Sequence, residues 1–422
     1  MMEFFNAMSM TDIIIVLIAL VTGFYMAWTI GANDVANSMG TSVGSGALTL
    51  KKAVIVAGIF EFSGAILVGS HVSSTIKSGI IQPEYLQTPE IYALAMLSCL
   101  LAAAIWVFVA TYFSLPISTT HAIVGAVIGI GLLLSPSLVN FGIVKNIALS
   151  WIFSPLLGGL ISFLFFKAIT RLIFAKHDSI ESLRKIGPYL VFLNLAIISL
   201  SIFYKGLAKL GLSYTAMQSL EISLLIALAG AFASVYILNT IIVRKPKTDE
   251  EKYNQIERVF GYLQVMTACS VAFAHGANDV ANAIGPLAAV VNTLRSGVID
   301  PTSSMPIYIL AIGGIGIVVG ISTWGYRVID TVGKKITEIT PSRGFCAEIG
   351  TTITVLFCSK LGLPISTTQV LIGAVMGVGF ARGIAAIDFS IIRRIIVSWL
   401  MTLPIAAISS ILIYLSLKSL LL

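Results

Sequence analysis

The chain has 422 residues, of which 57% are hydrophobic and only 11% are charged, and its mean hydropathy is +0.98. An ordinary soluble domain carries about 25% charged residues, so this composition excludes that class and predicts a protein that crosses a membrane several times. The net charge of +7 is scattered over loops and forms no aromatic-rich basic patch, so no nucleic-acid partner is expected.

Apolar runs recur from one end of the chain to the other, each about 20 residues long, which is the length that spans a hydrocarbon core of ~30 Å. The runs begin near Ile13, Ala53, Tyr92, Val144, Tyr189, Ile222, Val259, Ile307, Ile349 and Ile395. Shorter apolar pieces lie near Val35, His121, Val280 and Val370. The sequence therefore predicts an all-α integral membrane protein.

Three motifs occur twice at an almost constant offset. They are GANDVAN at 31–37 and 276–282, LPISTT at 115–120 and 363–368, and Ser-Trp at 150–151 and 398–399. The offsets are 245, 248 and 248 residues. A constant offset indicates a duplication. We predict a first repeat over residues 1–185, a second over 258–422, and an inserted helix pair with a cytoplasmic loop over 186–257.

Loop charges predict that the two repeats have opposite orientations. Basic residues concentrate at 171–185 and 244–258, which places both loops in the cytoplasm. The second repeat then starts inside, whereas the first starts outside. The number of crossings agrees with these orientations only if the segments around the two LPISTT motifs are re-entrant hairpins. Each hairpin then enters and leaves the membrane on the same face. The prediction is two inverted-topology repeats with broken helices and two re-entrant hairpins, eight full crossings, and both termini outside the plasma membrane.

The GANDVAN motif places polar side chains at membrane depth. A charged side chain there costs about 2.5 to 3.5 kcal/mol on insertion scales, so its default interpretation is functional. We expect Gly31 and Gly276 to break their helices and to expose backbone carbonyls. With the side chains of Asp34 and Asn37, these form a hard-oxygen set suited to a small cation. The alternative is that Asp34 caps a helix and is buried in a salt bridge. His275 is expected to be an ordinary packed histidine.

The LPISTT motif predicts an anion site. Ser118, Thr119 and Thr120 follow a proline and precede an apolar helix, where free N–H groups and hydroxyl donors favour an anion. In an inverted repeat this tip can meet its copy, 366–368, near the bilayer centre and share one ligand with it. Simple N-capping by serine or threonine is the alternative.

Two further acidic residues, Glu61 and Glu348, lie alone in apolar stretches and do not align by the repeat offset. Each could line a cation pathway or lie at a helix end with its carboxylate reaching water. The sequence leaves both interpretations open.

At these residues the sequence resembles the inorganic phosphate transporter (PiT) family of sodium- or proton-coupled phosphate carriers. The resemblance lies in GANDVANSMGTSVGSGALTLKKA, GANDVANAIGPLAAVV, the two PISTT tips and VGKKITEITPSRGFCAEIG. It implies that phosphate is held by the tips, Ser118, Thr119, Thr120, Ser366, Thr367 and Thr368, and meets Asp34 and Asp279. It also implies that the ion and substrate site is lined by Asn33, Asp34, Asn37, Asn278, Asp279 and Asn282, and that Glu61 and Glu348 are functional carboxylates.

Electrostatics favours sodium as the coupling ion. A doubly charged phosphate beside Asp34 and Asp279 would gather like charges in a low dielectric, which costs many kcal/mol unless cations arrive with it. Sodium would supply that compensation at Asn33, Asp34, Asn37, Asn278, Asp279 and Asn282. Coupling to protons, and transport of sulfate, stay open as alternatives.

Other classes of protein fit the sequence less well. Channels usually form pores by rotational symmetry, whereas an inverted repeat is typical of alternating access. A membrane enzyme acting on lipid phosphate would need a nucleophile with a base or metal cluster, and no such set recurs, so an enzyme is not expected. The expected partners are inorganic phosphate, sodium and membrane lipids, with a homodimer as an open question. No cofactor is expected beyond Na⁺ as coupling ion.

Overall fold

The structure is a computed structural model of the chain. It describes residues 8–82, 86, 88–204, 207, 212, 214–242, 246, 248–300, 303, 305–329, 339–383 and 389–421. The VGKKITE part of the family-like sequence, residues 332–338, lies outside the described residues.

The described chain forms twelve long helices. They are α1 (Met10–Gly44), α2 (Leu50–Val68), α3 (Pro89–Tyr112), α4 (Thr119–Leu134), α5 (Phe141–Ile169), α6 (Ser179–Phe203), α7 (Ala216–Ile241), α8 (Asp249–Ser296), α9 (Ile307–Trp324), α10 (Pro341–Lys360), α11 (Thr367–Arg382) and α12 (Phe389–Leu421). Shorter helical turns cover Ser70–Ser74, Thr75–Gly79, Pro136–Leu138 and Thr170–Phe174. Among the described residues the only β contact is an isolated bridge between Ile81 and Val139.

The helices repeat in order, with α1 to α5 corresponding to α8 to α12, and α6 and α7, which lie between the two sets in the chain, pack against each other. The division at residues 185 and 258 stays a prediction. Helices of each repeat pack against helices of the other repeat. Helix α5 of the first repeat packs against α10 and α11, and α12 of the second packs against α3 and α4. Likewise α2 packs on α8, and α9 packs on α1. Each repeat therefore buries its apolar faces against the other, and neither forms a separate core.

The two hairpins carry the helix breaks. Helix α3 ends at Tyr112 and α4 begins at Thr119, while α10 ends at Lys360 and α11 begins at Thr367. The tips contact each other, because the Thr120 hydroxyl donates to the Ile365 carbonyl at 2.9 Å and the Thr368 hydroxyl donates to the Ile117 carbonyl at 3.2 Å. The predicted all-α fold class, with a hairpin at each LPISTT motif, is confirmed.

The expectation that the glycines of GANDVAN break their helices is wrong. Helix α1 runs through Gly31 and α8 runs through Gly276 without interruption. A Cβ on Gly31 would lie 2.0 Å from the Ile317 carbonyl oxygen, and a Cβ on Gly276 would lie 2.0 Å from the Glu61 carbonyl oxygen. Glycine is needed here because a neighbouring helix backbone approaches closely, and not because the chain unwinds.

Within the described residues, seven helices are long and apolar enough to cross a membrane: α1, α3, α5, α6, α7, α9 and residues 392–421 of α12. Two of the expected crossings, α2 and α8, are not in this set. Helix α2 carries Lys51, Lys52 and Glu61, and the polar GANDVAN motif dilutes the apolar stretch of α8. The chain is a multi-pass membrane protein, and the number of eight full crossings stays a prediction.

Candidate functional site

The two GANDVAN segments and the two hairpin tips meet in one buried polar cluster. Its members are at most 4% exposed: Asn33, Asp34, Asn37, Ser118, Thr119, Thr120, Asn278, Asp279, Asn282, Ser366, Thr367 and Thr368. The structure thus brings together residues from four helices that are up to about 330 positions apart in sequence. The predicted aspartates, amides and tip hydroxyls therefore lie in a single buried cluster.

Each aspartate is held by the tip of its own repeat. The Thr119 hydroxyl donates to Asp34 Oδ2 at 2.7 Å, and the Thr367 hydroxyl donates to Asp279 Oδ2 at 2.6 Å. Asp34 Oδ1 is buried without a hydrogen-bond partner among the described residues. Both distances are those of ordinary O–H···O hydrogen bonds, so each carboxylate is fixed in position by the threonine of its own tip.

Two of the amides cross to the other repeat. Asn37 Nδ2 donates to the Thr368 hydroxyl at 2.8 Å, and Asn282 Nδ2 donates to the Thr120 hydroxyl at 3.1 Å. The two contacts are equivalent under the repeat and link each GANDVAN helix to the opposite tip. With their Nδ2 atoms donating to hydroxyls, the Oδ1 atoms of Asn37 and Asn282 are available as acceptors or cation ligands.

The first asparagine of each motif instead ties its helix to the base of a hairpin. Asn33 Nδ2 donates to the Thr111 hydroxyl at 2.9 Å, and Asn278 Nδ2 donates to the Ser359 hydroxyl at 2.8 Å. Both donors also reach a backbone carbonyl, that of Leu115 or Leu363. These contacts give Asn33 and Asn278 a positioning role, and a ligand role for them stays a prediction.

The serines of the tips are helix caps. The Ser118 hydroxyl accepts from the His121 N–H at 3.1 Å, and the Ser366 hydroxyl accepts from the Gln369 N–H at 3.2 Å. A capping hydroxyl still has its own proton to donate. Capping and anion binding are therefore compatible at both positions.

His275 is the residue that the sequence analysis missed. Its Nδ1 lies 2.8 Å from Glu61 Oε2, and its Nε2 lies 2.9 Å from Asp279 Oδ2 and 3.9 Å from Asp34 Oδ2. The expectation of an ordinary packed histidine is wrong, because each ring nitrogen lies within 3 Å of a carboxylate oxygen. Its position beside the motif was a signal, but the repeat offered no counterpart, since Ile30 precedes the first copy.

Glu61 extends this cluster toward α1. Its Oε1 accepts a hydrogen bond from the Ser38 hydroxyl at 2.8 Å, and the residue is fully buried. Ser38 directly follows the first GANDVAN motif. A carboxylate reaching water from a helix end is therefore excluded for Glu61.

Glu348 lies in a second polar cage, formed by α1, α8 and α10. Its Oε1 accepts from Thr41 and Ser42, both at 2.7 Å, and from Gln264 Nε2 at 3.0 Å, while its Oε2 accepts from Thr267. It is also fully buried, so its carboxylate does not reach water either. Sequence reasoning did not find the four partners, whose side chains are ordinary helix-face polar groups until packing brings them together.

The cluster has the chemistry of a site for both a small cation and an oxyanion. Ligand atoms of Asp34, His275 and Asp279 all lie within 4.8 Å of one another, close enough to surround one ion. Hard cations prefer carboxylate, amide and hydroxyl oxygens, and the tips add N–H and O–H donors at helix N-termini, which suit an anion. Cation and anion donors thus occupy adjacent positions.

This architecture defines a polytopic α-helical membrane protein with a buried polar site between two intertwined repeats. Residues 30–410 match the sequence profile of the phosphate transporter family, so the chain belongs to that family. The resemblance to inorganic phosphate transporters drawn from the motifs is confirmed.

Individual relatives cover almost the whole chain. It is 45% identical to a putative phosphate permease of Haemophilus influenzae over 96% of this chain and 97% of that one. It is 45% identical to the chloroplastic inorganic phosphate transporter 2-1 of Arabidopsis thaliana over 92% of this chain and 70% of that one. A solved structure of a sodium-dependent phosphate transporter superimposes with a TM-score of 0.90 at 41% identity, over 96% of this chain and 99% of that one.

Proposed function

We propose that this protein is a secondary active transporter that carries inorganic phosphate together with sodium across the plasma membrane by alternating access, with both termini outside. The observation that carries the proposal is the pair of equivalent contacts, Asn37 to Thr368 and Asn282 to Thr120, by which each GANDVAN helix holds the hairpin tip of the other repeat. The family and the sodium-dependent structural neighbour support the same substrate and ion.

Charge balance gives the proposal its physical basis. Asp34, Asp279 and Glu61 bring three carboxylates into one buried cluster, and His275 is the one basic group in contact with them among the described residues. Adding a phosphate dianion would leave an excess of negative charge in a low dielectric, which is strongly unfavourable. Sodium ions that bind with the phosphate remove this excess, so the two solutes bind cooperatively.

Phosphate would bind between the two tips. The hydroxyls of Ser118 and Ser366 and the N–H groups of the first turns of α4 and α11 would donate to its oxygens. Each tip threonine hydroxyl has one proton, which Thr119 and Thr367 give to an aspartate and Thr120 and Thr368 give to a backbone carbonyl, so these hydroxyls would turn from those acceptors to the phosphate when it binds. Sodium would lie on the opposite side, against the oxygens of Asp34, Asp279, Asn37 and Asn282. Rocking of one bundle of packed helices against another around this fixed site, each bundle built from both repeats, would expose it to each side of the membrane in turn.

Glu348 and its cage would provide a second binding position for the cation. The hydroxyls of Thr41, Ser42 and Thr267 and the amide of Gln264 all contact this carboxylate. Each hydroxyl can rotate to present its oxygen lone pairs to a sodium ion that binds the carboxylate. Thr41 and Ser42 lie on α1, one turn beyond Asn37, so the cage is next to the main site along the same helix.

The experiment is counterflow of labelled phosphate into proteoliposomes that contain the purified chain, with and without a sodium gradient. Sodium-dependent, saturable accumulation is expected. Accumulation that does not depend on sodium and follows an imposed pH gradient would favour the second candidate, a proton-coupled carrier. The specific observation for that candidate is the pair of contacts that His275 makes with Asp279 and Glu61. Unsaturable flux would indicate a channel, and phosphate release from esters would indicate an enzyme.

A further inference from the structure

Two short turns lead from the surface of the protein to the buried cluster. Turn 1 covers residues 113–118, between α3 and α4, and turn 2 covers residues 361–366, between α10 and α11. Their first residues, Phe113 and Leu361, are 65% and 59% exposed. The isoleucine of each turn is at most 1% exposed and contacts the tip of the other hairpin. The turns therefore form part of the wall between the cluster and the surface.

A side chain from another part of the chain holds each turn in place. Arg327, three residues after the end of α9, donates to the Tyr112 carbonyl, directly before turn 1, at 3.4 Å. Its guanidinium group lies over the Trp324 ring, 4.4 Å from the ring centroid. Thr75, beyond the end of α2, donates from its hydroxyl to the Gly362 carbonyl in turn 2 at 2.7 Å. We call Arg327 and Thr75 the anchors of the two turns.

The positions of the anchors follow from the antiparallel packing of α1 and α8. The Ser45 hydroxyl, at the end of α1, donates to Gln264 Oε1 in the first half of α8 at 2.6 Å. At the other end of this helix pair, a Cβ on Gly23 would lie 2.7 Å from the Leu287 side chain. The two aspartates of the cluster lie between these two levels.

Helix α9 runs parallel to α1 and carries Arg327 toward the C-terminal end of α1. A Cβ on Gly320 would lie 2.0 Å from the Trp28 carbonyl oxygen, and a Cβ on Gly325 would lie 2.7 Å from Val35 Cγ1. Arg327 comes after Gly325 in the chain, so it lies past Val35 on that side of the cluster.

Helix α2 runs parallel to α8 and carries Thr75 toward the C-terminal end of α8. A Cβ on Gly64 would lie 2.0 Å from the Phe273 carbonyl oxygen, and a Cβ on Gly285 would lie 3.2 Å from Ile76 Cβ. Because the C-terminal part of α8 lies beside the N-terminal part of α1, the two anchors are on opposite sides of the aspartates.

We propose that turn 1 and turn 2 are the two gates of the transport site, and that Arg327 and Thr75 hold them closed. Both anchors are in contact with their turns in this structure, which corresponds to a site closed on both sides. Release of one anchor frees one turn and opens the site on that side only, as alternating access requires. The proposal rests on the transport function proposed above, and the predicted orientation of the repeats places Arg327 at the cytoplasmic gate.

Loss of an anchor should favour the opening of its own turn. Arg327 brings a cation to the C-terminal end of α3, where positive charge is favourable. Arg327→Gln removes this charge and the contact with the Trp324 ring, so turn 1 should open about tenfold more often. Thr75→Val removes one neutral hydrogen bond, while Lys360 still holds the end of α10 by donating to the Tyr204 carbonyl. Turn 2 should therefore open about fivefold more often.

The test measures how fast a membrane-impermeant methanethiosulfonate reagent reaches a cysteine in the cluster, introduced in the full chain as Ser118→Cys. Right-side-out and inside-out membrane vesicles present the two faces separately, and mass spectrometry follows the peptide that carries the new cysteine. Arg327→Gln should raise the labelling rate about tenfold from one face only, and Thr75→Val about fivefold from the other face only. The matched controls Arg393→Gln and Thr240→Val change exposed side chains and should leave both rates unchanged.

Two conservative variants make the result specific to the anchors. Thr75→Ser keeps the hydroxyl and should show the native rates. Arg327→Lys keeps the charge but loses the planar group that lies over Trp324, so it should give a smaller rise from the same face as Arg327→Gln. It also replaces Arg327→Gln if that variant does not fold, as judged by gel filtration.

Unchanged rates, a rise from both faces, or a rise from the same face in both anchor variants would overturn the proposal. Labelling needs neither phosphate nor sodium, so its outcome is separate from that of the counterflow experiment. One-sided labelling without phosphate accumulation would support the gates and refute phosphate as the transported solute. Phosphate accumulation without one-sided labelling would refute the gates alone.

Discussion

The side-chain amide of Asn37 in the first repeat donates to the hydroxyl of Thr368 in the second at 2.8 Å. In the equivalent contact, the side-chain amide of Asn282 in the second repeat donates to the hydroxyl of Thr120 in the first at 3.1 Å. Because each contact couples a motif to the tip of the opposite repeat, neither repeat can complete the site alone. Changes at this junction should affect transport more than they affect folding.

Loss of the aspartate charges should weaken the response to sodium. In Asp34→Asn and Asp279→Asn the tip threonines lose a charged acceptor, and a hydrogen bond to a charged group contributes about 1.5 to 3 kcal/mol. The sodium concentration for half-maximal phosphate uptake should therefore rise about tenfold or more, with protein abundance little changed. Asp249→Asn, in the exposed first turn of α8, is the control. Full sodium-driven uptake by the double mutant would remove the aspartates from the mechanism.

The tip hydroxyls should matter for phosphate affinity. Thr119→Val and Thr367→Val keep the shape of the side chain but remove the donor, and we expect the apparent KM for phosphate to rise by about tenfold, as for loss of a hydrogen bond to a charged group. Thr351→Val is the matched control, because Thr351 is equally buried and its hydroxyl donates only to the Ala347 carbonyl of its own helix. An unchanged KM in both tip variants would argue that these hydroxyls only cap and tie the hairpins.

The glycines of GANDVAN should be sites of close packing. In Gly276→Ala the new methyl group would meet the Glu61 carbonyl oxygen at 2.0 Å, and overpacking of this kind typically costs about 1 to 3 kcal/mol, occasionally more. Thermal unfolding in detergent should show a clear loss of stability. Gly261→Ala, on the same helix with nothing within 4 Å, should be neutral or stabilising, since alanine is favoured over glycine in helices by about 1 kcal/mol. Equal stability of the two variants would contradict the close contact.

The two buried glutamates should be needed for transport. In Glu348→Gln the new amide brings N–H donors to a cage in which Thr41, Ser42 and Gln264 already donate, so the site loses its charge and gains a donor conflict. We expect sodium-driven uptake to fall by about tenfold or more for this variant and for Glu61→Gln. The exposed Glu250→Gln serves as control. Wild-type uptake by both buried variants would leave the glutamates with a structural role only.

Selectivity should favour anions that carry a proton. Phosphate near neutral pH donates a hydrogen bond, whereas sulfate only accepts, so an acceptor such as Asp34, Asp279 or an asparagine carbonyl would be left unpaired against sulfate. An unpaired buried acceptor costs roughly 1 to 3 kcal/mol, which is about tenfold or more in affinity. Arsenate should therefore inhibit labelled phosphate uptake strongly and sulfate poorly. Equal inhibition at matched concentration would mean that no acceptor in the site detects the proton of the anion.

The duplicated motifs alone predicted which residues are functional, the family of the protein and the positions of the hairpins. An aspartate and asparagines at membrane depth are so unfavourable that their recurrence at a constant spacing indicates function, and the family followed from the same letters. The hairpin breaks could also be predicted, because a proline followed by Ser-Thr-Thr ends one helix and caps the next.

The pairing of the buried polar groups could not be predicted from the sequence and was seen only in the tertiary structure. Gly31 and Gly276 look like helix breakers in the sequence, but the close approach of α9 and α2 makes them packing residues inside continuous helices. His275 has no repeat counterpart, and its contacts with Glu61 and Asp279 follow from the packing of α2 against α8. Local sequence determines which side chains are polar and which turns can form. The partners of a buried polar group, in contrast, come from segments far away in the chain. Which partners it meets depends on how the helices of one repeat pack against those of the other.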